Sequence, residues 1–387
     1  MRRFHHRDTG VRRPESGATP EAPVGIPDSR RDSRARSAGA RRAARPGGRF
    51  LIPVLALLAV LAAPSEAVFT KIGMAGMPFL KIGVGRCTGM GEAFVAVADD
   101  ASAAYWNPAG LALVQKRQAV LNHIDWLADV NHEFISGVLP LKSGNVGVSV
   151  TAMSEGAFEE TTIDEPQGTG RTFTARDLAV GVSYARMFTD KLAFGITAKA
   201  LSEQIWNVGA SGVAFDFGVH YNTGWRNLRI GMAITNFGPD TRFSGGLLNF
   251  THDPGWEWPW TREPLPGTYL TETFPLPVIF RFGLAYDLLR SSNSYLTAAV
   301  DLNHFNDVNE KVNAGLEYWL KPLYLRGGYI LNTDQSYGDA LGWSTGLSAG
   351  AGVVVHPTPA MGLSLDYGYR NLGRLGMSHR LTLSVEL

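Results

Sequence analysis

The stretch Val213-Ala214-Phe215-Asp216-Phe217-Gly218-Val219-His220-Tyr221-Asn222 decides the fold. Large apolar side chains hold the odd positions, and small or polar ones hold the even positions. Successive side chains of a strand point to opposite faces, so this strand has one greasy face and one polar face. The alternation recurs upstream in Leu178, Val180, Val182, Tyr184 and in Leu192, Phe194, Ile196. Downstream it returns in Val278, Phe280, Phe282, Leu284, Tyr286, then in Val312, Ala314, Leu316, Tyr318, and in Met361, Leu363, Leu365, Tyr367, Tyr369. Leu381, Leu383, Val385 and Leu387 carry it to the last residue.

Fourteen such segments follow one another, near 118–126, 132–140, 144–153, 174–187, 191–203, 212–222, 227–237, 277–289, 294–305, 310–320, 322–331, 342–355, 360–371 and 378–387. Most run 9–14 residues. Soluble strands average about 5–6 residues, whereas a tilted membrane strand needs about 9–11. The connections alternate too. Tight turns stand at Lys142-Ser143-Gly144, Thr189-Asp190-Lys191, Thr223-Gly224, Ser291-Ser292-Asn293, Lys321-Pro322 and His356–Pro359; longer intervening connections stand at 154–173, 203–211, 238–276 and 332–341. Short turns at one end and long loops at the other are the pattern of an outer-membrane barrel with both termini in the periplasm. The fold class is therefore all-β, a 14-stranded antiparallel transmembrane β-barrel over residues 118–387.

The polar face carries Lys199, Asp216, His220, Arg229, Arg281, Asp287, Asp301, Glu317, Arg326, Asp366 and Arg370. Facing lipid, each charge would cost kilocalories, so these residues are assigned to a wet lumen. Trp206, Trp225, Tyr286, Trp319, Trp343 and Tyr369 lie near segment ends, where interfacial aromatic girdles belong.

The front of the chain is different. Residues 1–67 carry a net charge of +7 and the remainder a net of −6, although the whole chain balances at +1. Residues 1–49 are rich in Arg, Pro, Ser, Gly and Ala without apolar period and are read as a disordered basic leader, longer than export needs, so that translation is expected to start downstream. Residues 50–67 combine the apolar run Phe50–Ala63 with Ser65-Glu66-Ala67, the order of a cleaved signal peptide. The Arg richness thus belongs to a removable leader and gives no ground for a nucleic-acid partner.

Residues 68–117 do not alternate. Small residues there allow short helices and close turns, Asp100 or Ser102 is placed to cap a helix through Ala104, and Asn107-Pro108 to end it. The runs Gly83-Val84-Gly85-Arg86-Cys87-Thr88-Gly89-Met90-Gly91, Ala93–Asp100 and Trp106-Asn107-Pro108-Ala109-Gly110 resemble the N-terminal segment of PorV/PorQ-type proteins, relatives of the FadL-like outer-membrane transporters. The likeness continues through His132-Glu133-Phe134, Gly181–Arg186 and Asn236-Phe237-Gly238 and covers most of residues 74–387. It implies that 68–117 form a small plug, or hatch, folded into the lumen, with Gly89, Met90, Gly91, Asp99, Asp100, Trp106, Asn107, Pro108, Ala109 and Gly110 as its motif residues. It also implies fourteen strands, a number the alternation gives independently. One departure is the terminal Leu387, where many such barrels end in an aromatic residue.

Chemistry-bearing motifs are sparse. Gly83–Gly91 lacks the βαβ setting of a dinucleotide loop. Gly346-Leu347-Ser348-Ala349-Gly350 spells a nucleophile elbow but lies within an alternating strand with no following helix. The nine His show no ligand spacing, and the single Cys87 reads as a small buried residue. Asp99-Asp100 and Glu159-Glu160 read as caps or loop charges rather than an acid/base pair. No enzyme, cofactor or metal is expected. Trp256, Trp258 and Trp260 in the long loop 238–276 are candidate outer-surface binding residues. The expected setting is the outer membrane and its lipid. The resemblance implies exported proteins or lipopolysaccharide as partners, or an apolar small molecule such as a fatty acid as ligand.

Overall fold

The computed structural model describes residue 71, residues 76–252, 264–333 and 345–387. The expected leader and signal peptide (residues 1–67), the three loop tryptophans and Trp343 lie outside the described residues. Among the described residues fourteen long strands form the wall: β1 Gln118–Asp125, β2 Asn131–Leu139, β3 Asn145–Ser154, β4 Ala175–Thr189, β5 Leu192–Ile205, β6 Val208–Asn222, β7 Arg229–Phe237, β8 Ile279–Arg290, β9 Ser294–Phe305, β10 Lys311–Leu320, β11 Leu323–Asn332, β12 Leu347–Thr358, β13 Met361–Asn371 and β14 Met377–Glu386. Each pairs antiparallel with its neighbours in the chain, and β1 pairs with β14 from Gln118↔Glu386 to Asp125↔His379, which closes the ring. Closure leaves no wall edge to present unpaired backbone groups to lipid.

The greasy face points outward. In β6, Val213, Phe215 and Phe217 are exposed, whereas Ala214 and Asp216 are fully buried and His220 nearly so. In β4 every second residue from Ala175 to Ala185 is buried and the intervening ones are exposed. The apolar core of the molecule is therefore not in the wall. It lies inside the ring, around residues 77–114, where Phe79, Met90, Phe94, Trp106 and Leu111 meet the inward Phe134. Tyr105 packs edge-on against Trp106 at 5.1 Å and against Phe134 at 6.3 Å between ring centroids.

Several local expectations are corrected. The span 203–211 is not a long loop: β5 runs to Ile205, β6 begins at Val208, and Trp206 turns the chain at φ 54°. The turn at Thr223-Gly224 extends to Leu228, with Gly224, Arg226 and Asn227 all at positive φ. Trp319 is inward-facing and stacks on Tyr295, so it is no lipid girdle residue; Trp206 stacks on Phe173. A bulge interrupts the β6–β7 register between Phe215 and Phe217. Asn236 absorbs it at φ 63°, a conformation Asn tolerates better than most residues, and its N–H donates to Asp216 at 2.7 Å.

Candidate functional site: the occupied lumen

The inner face of the wall carries four register pairs of glycines: Gly195↔Gly218, Gly231↔Gly283, Gly315↔Gly328 and Gly350↔Gly368. A Cβ at any of the eight would come closer than 3.0 Å to another atom. The neighbours met in this way include Pro108 and Asn107, Val95, Met90 and Gly91, and Gly89 and Thr88. Missing side chains thus form flat strips on which the backbone of the internal segment rests.

The segment is a succession of short turns: 3-10 turns Pro78–Lys81, Arg86–Met90 and Pro108–Leu113, and one α-turn Ala103–Trp106. Ser102 precedes the α-turn without a side-chain cap; Asp100 instead binds back to the Ser102 N–H at 2.8 Å. Asn107, fully buried, ends the turn and is the hub of the motif. Its Nδ2 donates to the carbonyls of Val95 and of the wall residue Val219, each at 3.0 Å, and its Oδ1 accepts the Ala109 N–H at 3.2 Å. The glycines flanking the turns admit no side chain: a Cβ on Gly110 would meet the Ala98 carbonyl, and Gly91 sits at φ 63°.

Charges clamp the segment at two levels. At the first, Arg86 pairs with Asp99, with Asp100 at 2.7 Å and with the wall residue Glu317 at 3.2 Å. Glu317 also accepts from Arg326 at 2.7 Å, and Arg326 reaches Asp366 at 2.5 Å. Burial pulls the Arg86 guanidinium toward losing its proton, but Asp99, Glu317 and Asp100 outweigh it and raise its pKa well above the usual value. At the second, Glu92 meets Arg370 at 2.8 Å and Arg380 at 3.1 Å. Arg380 also donates to the Gly83 carbonyl at 2.6 Å and to Thr88 Oγ1 at 2.9 Å. Burial pushes the Glu92 carboxyl up, yet Arg370 and Arg380 hold it down, to about 2. Between the levels Asp301 accepts the N–H groups of Phe94 and Val95 at 2.6 and 2.9 Å, and His220 lies 3.3 Å from the Ala96 carbonyl. Arg281 donates to the Tyr105 carbonyl at 3.3 Å and lies over the rings of Tyr105 and Trp106.

The eleven candidate lumen residues thus divide. His220, Arg281, Asp301, Glu317 and Arg370 hold the internal segment. Lys199–Asp216, Arg229–Asp287 and Arg326–Asp366 pair within the wall, at 2.6, 2.7 and 2.5 Å. They do not face free water, as the sequence reading supposed. Asp216 and Asp301 are 0% exposed and Glu317 2%, because the segment fills the lumen against them. A buried charge is tolerated only when paired, and breaking such a pair is costly. The sequence reading missed Arg380, whose signal was present: Ser378, Arg380, Thr382 and Ser384 alternate with the apolar residues of the last strand. It also missed Glu92 and Arg86, which follow no period, and the glycine pairs, which exist only once the register is known.

Cavities lie on both sides of the segment. One, about 500 Å³, lies toward the longer connections and is lined by Trp126, Leu127, Leu372, Leu375, Lys311 and Arg370 among others. The other, about 340 Å³, lies toward the short turns, at Lys321-Pro322 and His356. Ile82, Glu92 and Trp106 border the first, and Arg86, Asp99 and Asp100 border the second, so the segment stands between them. Ser348 sits within β12, directly opposite Arg370 in register, and no helix follows it. Cys87 is fully buried, and burial raises its thiol pKa. Among the described residues no group of His, Cys, Asp or Glu is placed to hold a metal ion.

Residues 66–251 match the family model described as type IX secretion system protein PorV. Among solved structures, the Pseudomonas putida toluene transporter TodX superposes with a TM-score of 0.50 at 14% identity, covering 82% of this chain and 98% of its own. A Pseudomonas aeruginosa FadL homologue gives 0.47 at 13% identity, covering 81% of this chain and 99% of its own. The Ralstonia pickettii toluene transporter TbuX gives 0.46 at 13%, covering 78% and 96%. At such identities the likeness to TodX speaks for the fold alone. No curated protein matches the chain significantly. The closure of its fourteen strands makes the chain an outer-membrane β-barrel with the FadL-like fold, and its residues 66–251 match the PorV family.

Proposed function

We propose that the chain is an accessory of protein secretion that receives exported proteins, or hands them on to surface attachment, in a type IX-like pathway. The observation that carries this reading is the PorV family match over residues 66–251. The occupied lumen supports it. A segment clamped by Arg86–Glu317 and Glu92–Arg370–Arg380 at opposite levels divides the lumen, which suits a barrel that works through its surfaces rather than as an open pore. The residues 68–117 then act as a plug, with Asn107-Pro108-Ala109 as its hub. The partners are exported proteins or lipopolysaccharide, and the reading contains no catalytic step. Deleting the gene should leave secreted proteins that carry C-terminal signals trapped in the periplasm or unprocessed; normal secretion in the deletion strain overturns the proposal.

A second reading, uptake of hydrophobic small molecules such as fatty acids, is favoured by the cavity of about 500 Å³, where Trp106, Trp126 and Phe305 offer apolar surface. That volume is in the range of small-molecule pockets, about 300–1,000 Å³. Unchanged uptake of such compounds in the deletion strain removes it.

A further inference from the structure

The cavity of about 340 Å³ at the short-turn end is lined partly by the first-level clamp, through Arg86, Asp99, Asp100, Arg326 and Asp366, and partly by aromatic rings. Three aromatic rings project inward there from adjacent strands and in register: Tyr295 opposite Trp319, and Trp319 opposite Tyr324. Tyr295 and Trp319 are stacked at 5.3 Å between centroids, and Tyr324 closes the group at 6.3 and 6.4 Å. Elsewhere the buried inward positions of these strands are mostly polar (Thr297, Asp301, Asn303, Asn313, Glu317 and Arg326), with Ala299, Phe305 and Ile330 as the apolar ones. Tyr295 donates its hydroxyl to Glu317 at 3.1 Å and the Tyr324 ring lies 4.9 Å from the Arg326 guanidinium, so the rings are anchored to the clamp while they line the cavity.

Around the rings stand groups that accept and donate in fixed directions. Asp99, half exposed at 48%, comes from the internal segment with Arg86; Asp366 and Arg326 come from the wall. Ser364, Ser384 and His356 complete the rim. Arg326 and Asp366 are 1% and 5% exposed, so the carboxylate that offers further hydrogen-bonding capacity to the cavity is that of the half-exposed Asp99. The lining carboxylates Asp99, Asp100, Asp366 and Glu386 are matched by Arg86, Lys321 and Arg326 and by Lys116, which pairs with Glu386 at 2.7 Å, so no excess of positive charge favours an anionic ligand. An apolar platform edged by oriented donors and acceptors, without a net positive charge, matches one class of molecule well. A pyranose ring has an apolar C–H face and a rim of hydroxyls, each both donor and acceptor.

The geometry points to a saccharide site: the Tyr295–Trp319–Tyr324 platform with Asp99, Ser364 and Ser384 at its rim binds a neutral sugar ring presented from the periplasmic side. Short turns mark that side in outer-membrane barrels. Cell-wall glycan and free oligosaccharide share this chemistry. The site is independent of the secretion reading and stands or falls separately from it.

The test uses the full chain purified in an amine-oxide detergent, since maltoside headgroups are themselves sugars. Chitotetraose is titrated while tryptophan fluorescence and heat are followed, and isolated peptidoglycan sacculi are used for co-sedimentation. Saturable chitotetraose binding is expected, weakened at least about tenfold, or about 1.4 kcal/mol, by Trp319→Ala. Ser364→Phe, which puts a large side chain into the cavity from a strand other than the three that carry the rings, should abolish it. The heat-induced mobility shift of the barrel verifies that both variants fold. Co-sedimentation in addition assigns the site to cell-wall glycan; binding of chitotetraose alone assigns it to free oligosaccharide. Absence of binding in both arms, binding unaltered in both variants, or binding of tetralysine peptide in place of the saccharide overturns the inference.

Discussion

Replacing Asn107 by alanine should loosen the internal segment without opening the barrel. Asn107 is 0% exposed, so no water can take over the hydrogen bonds it makes. The substitution removes two donors, to the carbonyls of Val95 and Val219 at 3.0 Å, and one acceptor, for the Ala109 N–H at 3.2 Å. A buried hydrogen bond contributes about 1 kcal/mol net, so the loss is about 3 kcal/mol. At about 1.4 kcal/mol per tenfold, the segment should open roughly a hundredfold more often. Only the bond to Val219 crosses to the wall, and the wall keeps its own ladder. Amide hydrogen exchange on the purified protein should therefore quicken by roughly that factor at Val97, Ala98 and Ala109 while strand amides in β4–β6 stay unaltered. Asn107→Asp should act more strongly, because a carboxylate oxygen would then face two carbonyl oxygens. Exchange unaltered in the segment, or strands that open together with it, would refute the reasoning.

Three further outcomes follow from the same geometry. Glu92 is held at about 2, below its ordinary 4.5, so the stability it lends the segment is full above pH 4.5 and disappears as pH falls through about 2. That contribution is about 3 kcal/mol; pepsin should cut residues 80–114 increasingly across this window, and Glu92→Gln should weaken the segment at neutral pH and abolish the step. Gly328→Val would drive a side chain into Met90 and Gly91, while Gly327→Val on the lipid face meets nothing within 4 Å. Outer-membrane yield and the heat-mobility shift should therefore fail for the first and persist for the second. Arg380→Met should cost about 3–5 kcal/mol of segment docking by leaving Glu92 without one of its two partners, read as faster exchange at Gly91 and Glu92.

The barrel was legible in the sequence because membrane strands repeat a rule of period two. The alternation seen in Val213–Asn222 and shared by fourteen segments requires a wall with one face in lipid, and the alternation of turn lengths requires an up-and-down path. Every wall strand coincides with a segment marked by alternation, but the span 203–211, expected as a long connection, is mostly paired strand. Inward residues such as Asp301, Arg281 and Glu317 were identifiable as lumen-facing from parity alone. Their partners were not. Asp301 meets Phe94 and Val95 across more than two hundred residues of chain, and nothing in either stretch specifies the other. The segment 76–117 obeys no period, because its turns are fixed by contacts with the wall rather than by its own local preferences. The glycine strips need both the strand parity and the register before they appear, since a glycine means nothing there until its opposite number is known. The sequence by itself determined a closed amphipathic wall, because lipid enforces that pattern locally at every residue. Only the tertiary structure decided that the lumen is filled and clamped at two levels by charge, with an aromatic platform at one end, because those features arise where distant strands and the segment are brought within a few ångströms.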